Sequence, residues 1–120
     1  MANELTVSAS LKFEKSGGDV SGAYGGIQIN VTGDNAIKHI QAIGTSEEVV
    51  QLGDVTTGGY WLFKNLDTTN FLQIRAATGA TNLVRLNAGE IALFRTSASI
   101  TPYAIADTAA CNLLCIGIDA

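Results

Sequence analysis

Leu5-Thr6-Val7-Ser8-Ala9-Ser10-Leu11-Lys12-Phe13-Glu14 is the stretch that decides the fold class. Leu5, Val7, Ala9, Leu11 and Phe13 alternate with Thr6, Ser8, Ser10, Lys12 and Glu14. Period two over ten residues is the pattern of a β-strand with one apolar and one wet face, because successive side chains of extended backbone point to opposite sides. Ser16-Gly17-Gly18-Asp19 ends the run, and the Gly-rich tract from Gly17 to Gly26 reads as a flexible loop.

Beyond that tract, Ile27, Ile29 and Val31 alternate again, Gly33-Asp34-Asn35 makes a turn, and Ile37 to Ile43 resumes extended chain. The two runs are expected to pair as a hairpin across the turn. Further strands are expected at Glu47–Leu52, Tyr60–Lys64, Phe71–Ile74, Leu83–Leu86, Glu90–Arg95, Ile100–Ala106 and Cys111–Ile118. The link Asn65 to Asn70 is rich in Asn, Asp and Thr, whose short side chains bond nearby backbone and stabilise turns. Asn87-Ala88-Gly89 reads as a three-residue hairpin loop, with Gly89 taking the positive φ.

No segment keeps a 3.6-residue apolar period for three turns. Short strands at this spacing predict an all-β, single-domain antiparallel β-sandwich over residues 1–120, jelly-roll-like, with eight to ten strands. At 120 residues the chain can bury a core without staples.

Two strands break the wet-face rule. Tyr60-Trp61-Leu62-Phe63 and Leu113-Leu114-Cys115-Ile116 are apolar on both faces. Either they run centrally under long loops or one face meets a partner. Charged residues are only 15% of the chain, against roughly 25% in an ordinary soluble domain, which favours covered faces. Tyr60, Trp61, Phe63, Leu114, Ile116, Leu5 and Val7 are the candidate interface residues, and the N-terminal arm Met1–Glu4 is a candidate for strand addition to a neighbouring sheet edge.

The sequence argues against most chemistry. Its net charge is −4, and Lys12, Lys15, Lys38, Lys64, Arg75, Arg85 and Arg95 are scattered singly, so no basic stripe suggests nucleic acid. No basic amphipathic segment or ~20-residue apolar run suggests a membrane. The N-terminus lacks the basic and apolar regions of a secretory signal, and the two unbridged cysteines point to synthesis in a reducing cytoplasm.

Cys111 and Cys115 lie about 13 Å apart along a strand, too far to bridge, and read as buried thiols. One histidine, His39, and an isolated Cys-x-x-x-Cys do not complete a zinc site, and no Asp-rich loop matches a calcium pattern. The Gly17–Gly26 run lacks the Lys-Ser/Thr of a phosphate-binding loop. Neither His39 nor Cys111 sits in a nucleophile motif. No catalytic residue, cofactor or metal is expected.

A family resemblance begins at Leu52. Leu52-Gly53-Asp54-Val55, Gly59-Tyr60, Asn65 through Ile74, Leu86 through Arg95 and Pro102-Tyr103-Ala104-Ile105-Ala106 together resemble small virion structural proteins of tailed bacteriophages. The resemblance covers Leu52 to Ala106 and rests on turn and strand motifs. It implies a jelly-roll-like protein of the virion that decorates or cements a capsid, works as a dimer or trimer, and binds the major capsid protein or another virion protein. A tail, collar or fibre-base subunit is the nearest alternative. Of another class is a carbohydrate-binding module, which requires Trp61 or Tyr24 on the surface beside carboxylates. A cupin-like enzyme needs a histidine cluster that a chain holding only His39 lacks.

Overall fold

The computed structural model describes residues 4–97 and 100–120. Among them are ten strands and no helix: β1 (Leu5–Lys15), β2 (Gly18–Ile29), β3 (Ala36–Ile43), β4 (Glu48–Val49), β5 (Gly58–Asn65), β6 (Leu72–Arg75), β7 (Asn82–Leu86), β8 (Ile91–Arg95), β9 (Tyr103–Ala106) and β10 (Cys111–Asp119). The pairings between them are all antiparallel, so the all-β sandwich expected from the strand spacing is what the chain forms. The chain gathers into two compact units, Met1–Thr32 and Gly33–Ala120. Of the proposed arm Met1–Glu4, residues 1–3 lie outside the described residues.

The first unit is a ribbon of β1 paired with β2. Its two-residue turn is Ser16-Gly17, with φ of 52° and 80°. Positive φ at both positions is the type I′ geometry, whose twist matches that of the flanking strands. The Gly-rich tract is therefore not the expected loop: β2 starts at Gly18 and runs through it. Ladder hydrogen bonds come from backbone, and a strongly alternating partner in β1 supplies the template despite the low strand preference of glycine.

The second unit holds eight strands in two four-stranded sheets, ordered β3-β10-β5-β8 and β4-β9-β6-β7. Counted within this unit, the first sheet holds strands one, eight, three and six, and the second holds two, seven, four and five. This interleaved order, two Greek keys rolled together, is that of a jelly roll. The hairpin expected between Ile27–Val31 and Ile37–Ile43 does not form. Ile27 and Ile29 pair with Val7 and Leu5, while β3 pairs with β10. Nor is Asn87-Ala88-Gly89 a hairpin loop, because β7 pairs with β6 and β8 with β5, so the link passes between sheets. Gly89 does take positive φ, 78°. The link is pinned to the end of β5, where Gly89 N–H donates to Asn65 O and Asn65 N–H to Glu90 O, both at 3.0 Å.

The core lies between the sheets. Ile43, Trp61, Phe63, Cys111, Leu113 and Cys115 face inward from one, and Leu72, Ile74, Leu86, Ala104 and Ala106 from the other. The large rings of Trp61 and Phe63 stack at 5.8 Å between centroids, and the small Ala and Cys side chains leave room for them. Trp61 Nε1–H donates to Thr96 Oγ1 at 3.0 Å, so the indole is buried without an orphaned donor.

Buried polar groups tie the connections down. Asn65 is fully buried, donates through Nδ2 to Asn70 O and Leu86 O, and accepts Asp67 N–H at Oδ1, all at 3.0 Å. Asp67 Oδ2 accepts from Thr69 and Asn70, the local turn bonding expected of this link. Those backbone donors hold the Asp67 carboxyl below its ordinary pKa. Near the end of β10, buried Asp119 accepts Asn35 N–H at 3.0 Å and Thr56 N–H at 3.1 Å, fastening the approaches to β3 and β5.

Candidate interaction surfaces

From Leu5 to Phe13 the ribbon is apolar on one face, and a bulge makes it so. Along β1 the apolar face carries Leu5, Val7, Ala9, Leu11 and Phe13. Their cross-strand partners are Ile29, Ile27, Tyr24, Gly22 and Val20. On β2 the numbering changes parity between Ile27 and Tyr24, and without correction Tyr24 and Val20 would turn to the opposite face. The extra residue is absorbed at Gly25-Gly26, where Gly26 takes φ of 68° and its N–H donates to Ser8 Oγ at 3.1 Å. A glycine with positive φ is the residue type such a bulge requires.

The opposite face carries Thr6, Ser8, Ser10, Lys12 and Glu14 against Gln28, Ala23, Ser21 and Asp19. Exposure is high on the apolar side: Leu11 76%, Tyr24 69%, Val20 67%, Phe13 54% and Ile27 48%. A contiguous face of this kind marks a contact site, and a two-stranded ribbon alone is marginal in water.

A second surface is the outer face of the β3-β10-β5-β8 sheet. Its register sets three rows across the four strands: Ile40, Leu114, Lys64 and Ile91; Lys38, Ile116, Leu62 and Leu93; Ala36, Ile118, Tyr60 and Arg95. Each row holds one cation and none holds an anion, although the chain has eleven acidic residues against seven basic ones. Ile40 and Ile91 stand well out into solvent, and Leu93 is exposed at its edge. The Arg95 guanidinium lies 5.5 Å from the centre of the Tyr60 ring, within reach of a cation–π contact.

A third feature is an apolar cleft of about 430 Å³ at the β7–β8 side of the sandwich, lined among others by Ile74, Val84, Phe94, Ile100 and Pro102. The other side of the sandwich is laced by side chains. Gln41 binds both Val49 O and Gln51 N–H at 3.0 Å, and His39 Nε2 lies 3.0 Å from Gln51 O.

The candidate interface residues divide between these places. Tyr60, Leu114 and Ile116 share the outer sheet face, and Leu5 and Val7 share the ribbon face. Trp61 and Phe63 are corrected: they are 1% and 0% exposed, because the odd positions of β5 point into the sandwich and only the even ones point out. Trp61 is thereby removed as a sugar-stacking residue, and Tyr24 is exposed on a face that carries no carboxylate. Leu11, Phe13, Val20 and Ile27 join Leu5 and Val7 on this face; the alternation in β1 points to the first two. The bulge hides the continuation of that period in β2.

Chemistry is sparse. Among the described residues no three His, Cys, Asp or Glu side chains converge as metal ligands. Burial pushes the Cys115 thiol up from its ordinary 9.0 to about 12. It raises Cys111 too, with smaller contributions from the Asp67 and Asp107 charges, so neither thiol is poised as a nucleophile. No helix long and apolar enough to cross a membrane is found among the described residues. Comparison of the chain with protein-family models, with curated proteins and with solved structures found no match.

Proposed function

We propose that this protein is a non-enzymatic structural protein of a virion, a capsid decoration (cement) protein of a tailed bacteriophage. In this reading it docks the outer face of its β3-β10-β5-β8 sheet on the shell. The observation that carries the reading is that face itself: three rows of apolar side chains, each with a single cation and no anion. Such a surface suits a partner that offers apolar area flanked by carboxylates, since apolar burial supplies affinity and opposite charge supplies orientation and rate. Jelly rolls serve in viral capsids and in lectins, so the fold allows this role by analogy without requiring it. The resemblance over Leu52–Ala106 supplies the virion.

Sedimentation of undecorated phage shells with the purified protein tests the reading. Stoichiometric co-sedimentation is expected, together with its loss when Ile40 or Leu93 is replaced by Glu. Absence of binding to shells overturns capsid decoration. Binding to isolated tails instead would move the protein to a tail or collar position.

A further inference from the structure

The geometry points to a second use of the surface: we infer that two copies of this chain associate through the apolar faces of their N-terminal ribbons, stacked about a two-fold axis. This concerns the free protein and stands apart from shell docking, which involves the outer sheet face of the jelly roll.

The ribbon is built as half of a sandwich. One face is wholly apolar from Leu5 and Ile29 to Phe13 and Val20, and the bulge at Gly26 serves to keep it so. A ribbon that needed only to be soluble would have no use for that correction, because slipping Tyr24 and Val20 to the other side would break up the exposed apolar surface. What completes such a half is a second apolar β-face about 10 Å away, and an identical ribbon supplies one with matching length and twist. A two-fold contact uses the same patch on both copies, so self-complementarity is its only requirement.

Area favours this occupant. Side chains of the size of Leu11, Phe13, Val20, Tyr24 and Ile27 present on the order of 150–200 Å² each. At exposures of 48% to 76% they leave roughly 500–600 Å² open on one copy. Fully covered, two copies would bury about 1,100 Å², close to the roughly 1,000 Å² expected of a specific interface, with the partly buried Leu5, Val7 and Ile29 at its end.

Charge selects the orientation. Lys15, at the tip, is the one charged residue whose position in β1 falls on the apolar face. Antiparallel stacking about the two-fold keeps the two Lys15 residues at opposite ends of the contact. Parallel stacking would gather the Lys15 residues at one end, where like charges repel.

Analytical ultracentrifugation of the full chain, with Leu11→Glu and Lys12→Glu as a matched pair on opposite ribbon faces, tests the proposal. The native protein is expected to be a dimer. Leu11→Glu should weaken association by more than about a hundredfold, since it would bury an unpaired charge twice, whereas Lys12→Glu should leave it within a few fold. Trp61 fluorescence reports separately that the jelly roll of each variant is folded. A bis-maleimide should join two copies of Leu11→Cys, near the middle of the ribbon, and not of Lys15→Cys at its tip. The native Cys111 and Cys115 are too buried to react.

A monomer at all concentrations, a trimer, or a dimer that Leu11→Glu leaves intact would each overturn the inference. A monomer that binds shells and loses them on Leu11→Glu would give the ribbon to the shell and also overturn it, while leaving the decoration reading standing.

Discussion

The side-chain amide of Gln41 pairs with the backbone around Gln51 as a neighbouring strand would. Its Oε1 accepts Gln51 N–H, and its Nε2 donates to Val49 O, both at 3.0 Å. β4 is only two residues long and belongs to the other sheet, so no ladder joins β3 to this segment. Gln41 is 8% exposed and, with His39 bonded to Gln51 O, ties β3 to this segment on that side of the sandwich. Replacing it with Leu keeps the volume but strands one donor and one acceptor. The expected loss is about 2 kcal/mol of stability, read as a lower urea midpoint with unchanged slope. A midpoint equal to that of the native protein would show that water satisfies those groups.

Gly58 lies beneath the indole of Trp61, where a β-carbon would stand 2.1 Å from the ring. Gly117 leaves only 2.8 Å on the same ring. Trp61 is held in place by its bond to Thr96 and its stack on Phe63, so it cannot swing away cheaply. Gly58→Ala should therefore cost about 2 kcal/mol or more through overpacking. It should also shift the emission of this single tryptophan, a change that Gly79→Ala, which meets no atom within 4 Å, should not produce.

Cys115 gives the jelly roll a limit at high pH. Its thiol pKa lies at about 12 in the folded chain, raised by burial from the ordinary 9.0. The folded state thus holds its proton longer than the unfolded state does. The corresponding stability is fully present below pH 9 and declines as pH rises from 9 towards 12. Cys115→Val removes the titration, so its stability should fall less steeply over that interval. Thiol reagents should label Cys115 only on unfolding; rapid labelling at neutral pH would contradict the buried placement.

Gly26 carries the ribbon's bulge at φ of 68°, and Ser16 carries its turn at φ of 52°. Both conformations disfavour an ordinary L residue by roughly 1 kcal/mol, and Asn tolerates them better than Ser. Gly26→Ala should speed amide exchange in β1 and β2, whereas Ser16→Asn should slow it. In both variants the protection of β5 and β10 should stay unchanged, since those strands belong to the other unit. Equal exchange in the ribbons of all three proteins would mean that neither residue shapes it.

Local chemistry was legible where it acted over a few residues. The alternation from Leu5 to Phe13 made a strand, the Asx-rich link after Asn65 made turns, and Gly89 took positive φ. Cys111 and Cys115 are free and buried, as their spacing in one strand implied. The Gly-rich tract misled because glycine lowers strand preference without preventing a ladder, and the partner that imposed one lay a turn away.

Composition and period two were enough, by themselves, to make this chain all-β, to place most of its strands and to show that β5 and β10 are apolar on both sides. Which strands pair was decided only in three dimensions. A jelly roll joins β3 to β10 across nearly the whole of its length in sequence, and no local pattern encodes so distant a register. The same folding turned Trp61 and Phe63 inward. It also brought Lys38, Lys64 and Arg95, single charges in sequence, onto one sheet face, because registry across four strands sets which side chains become neighbours.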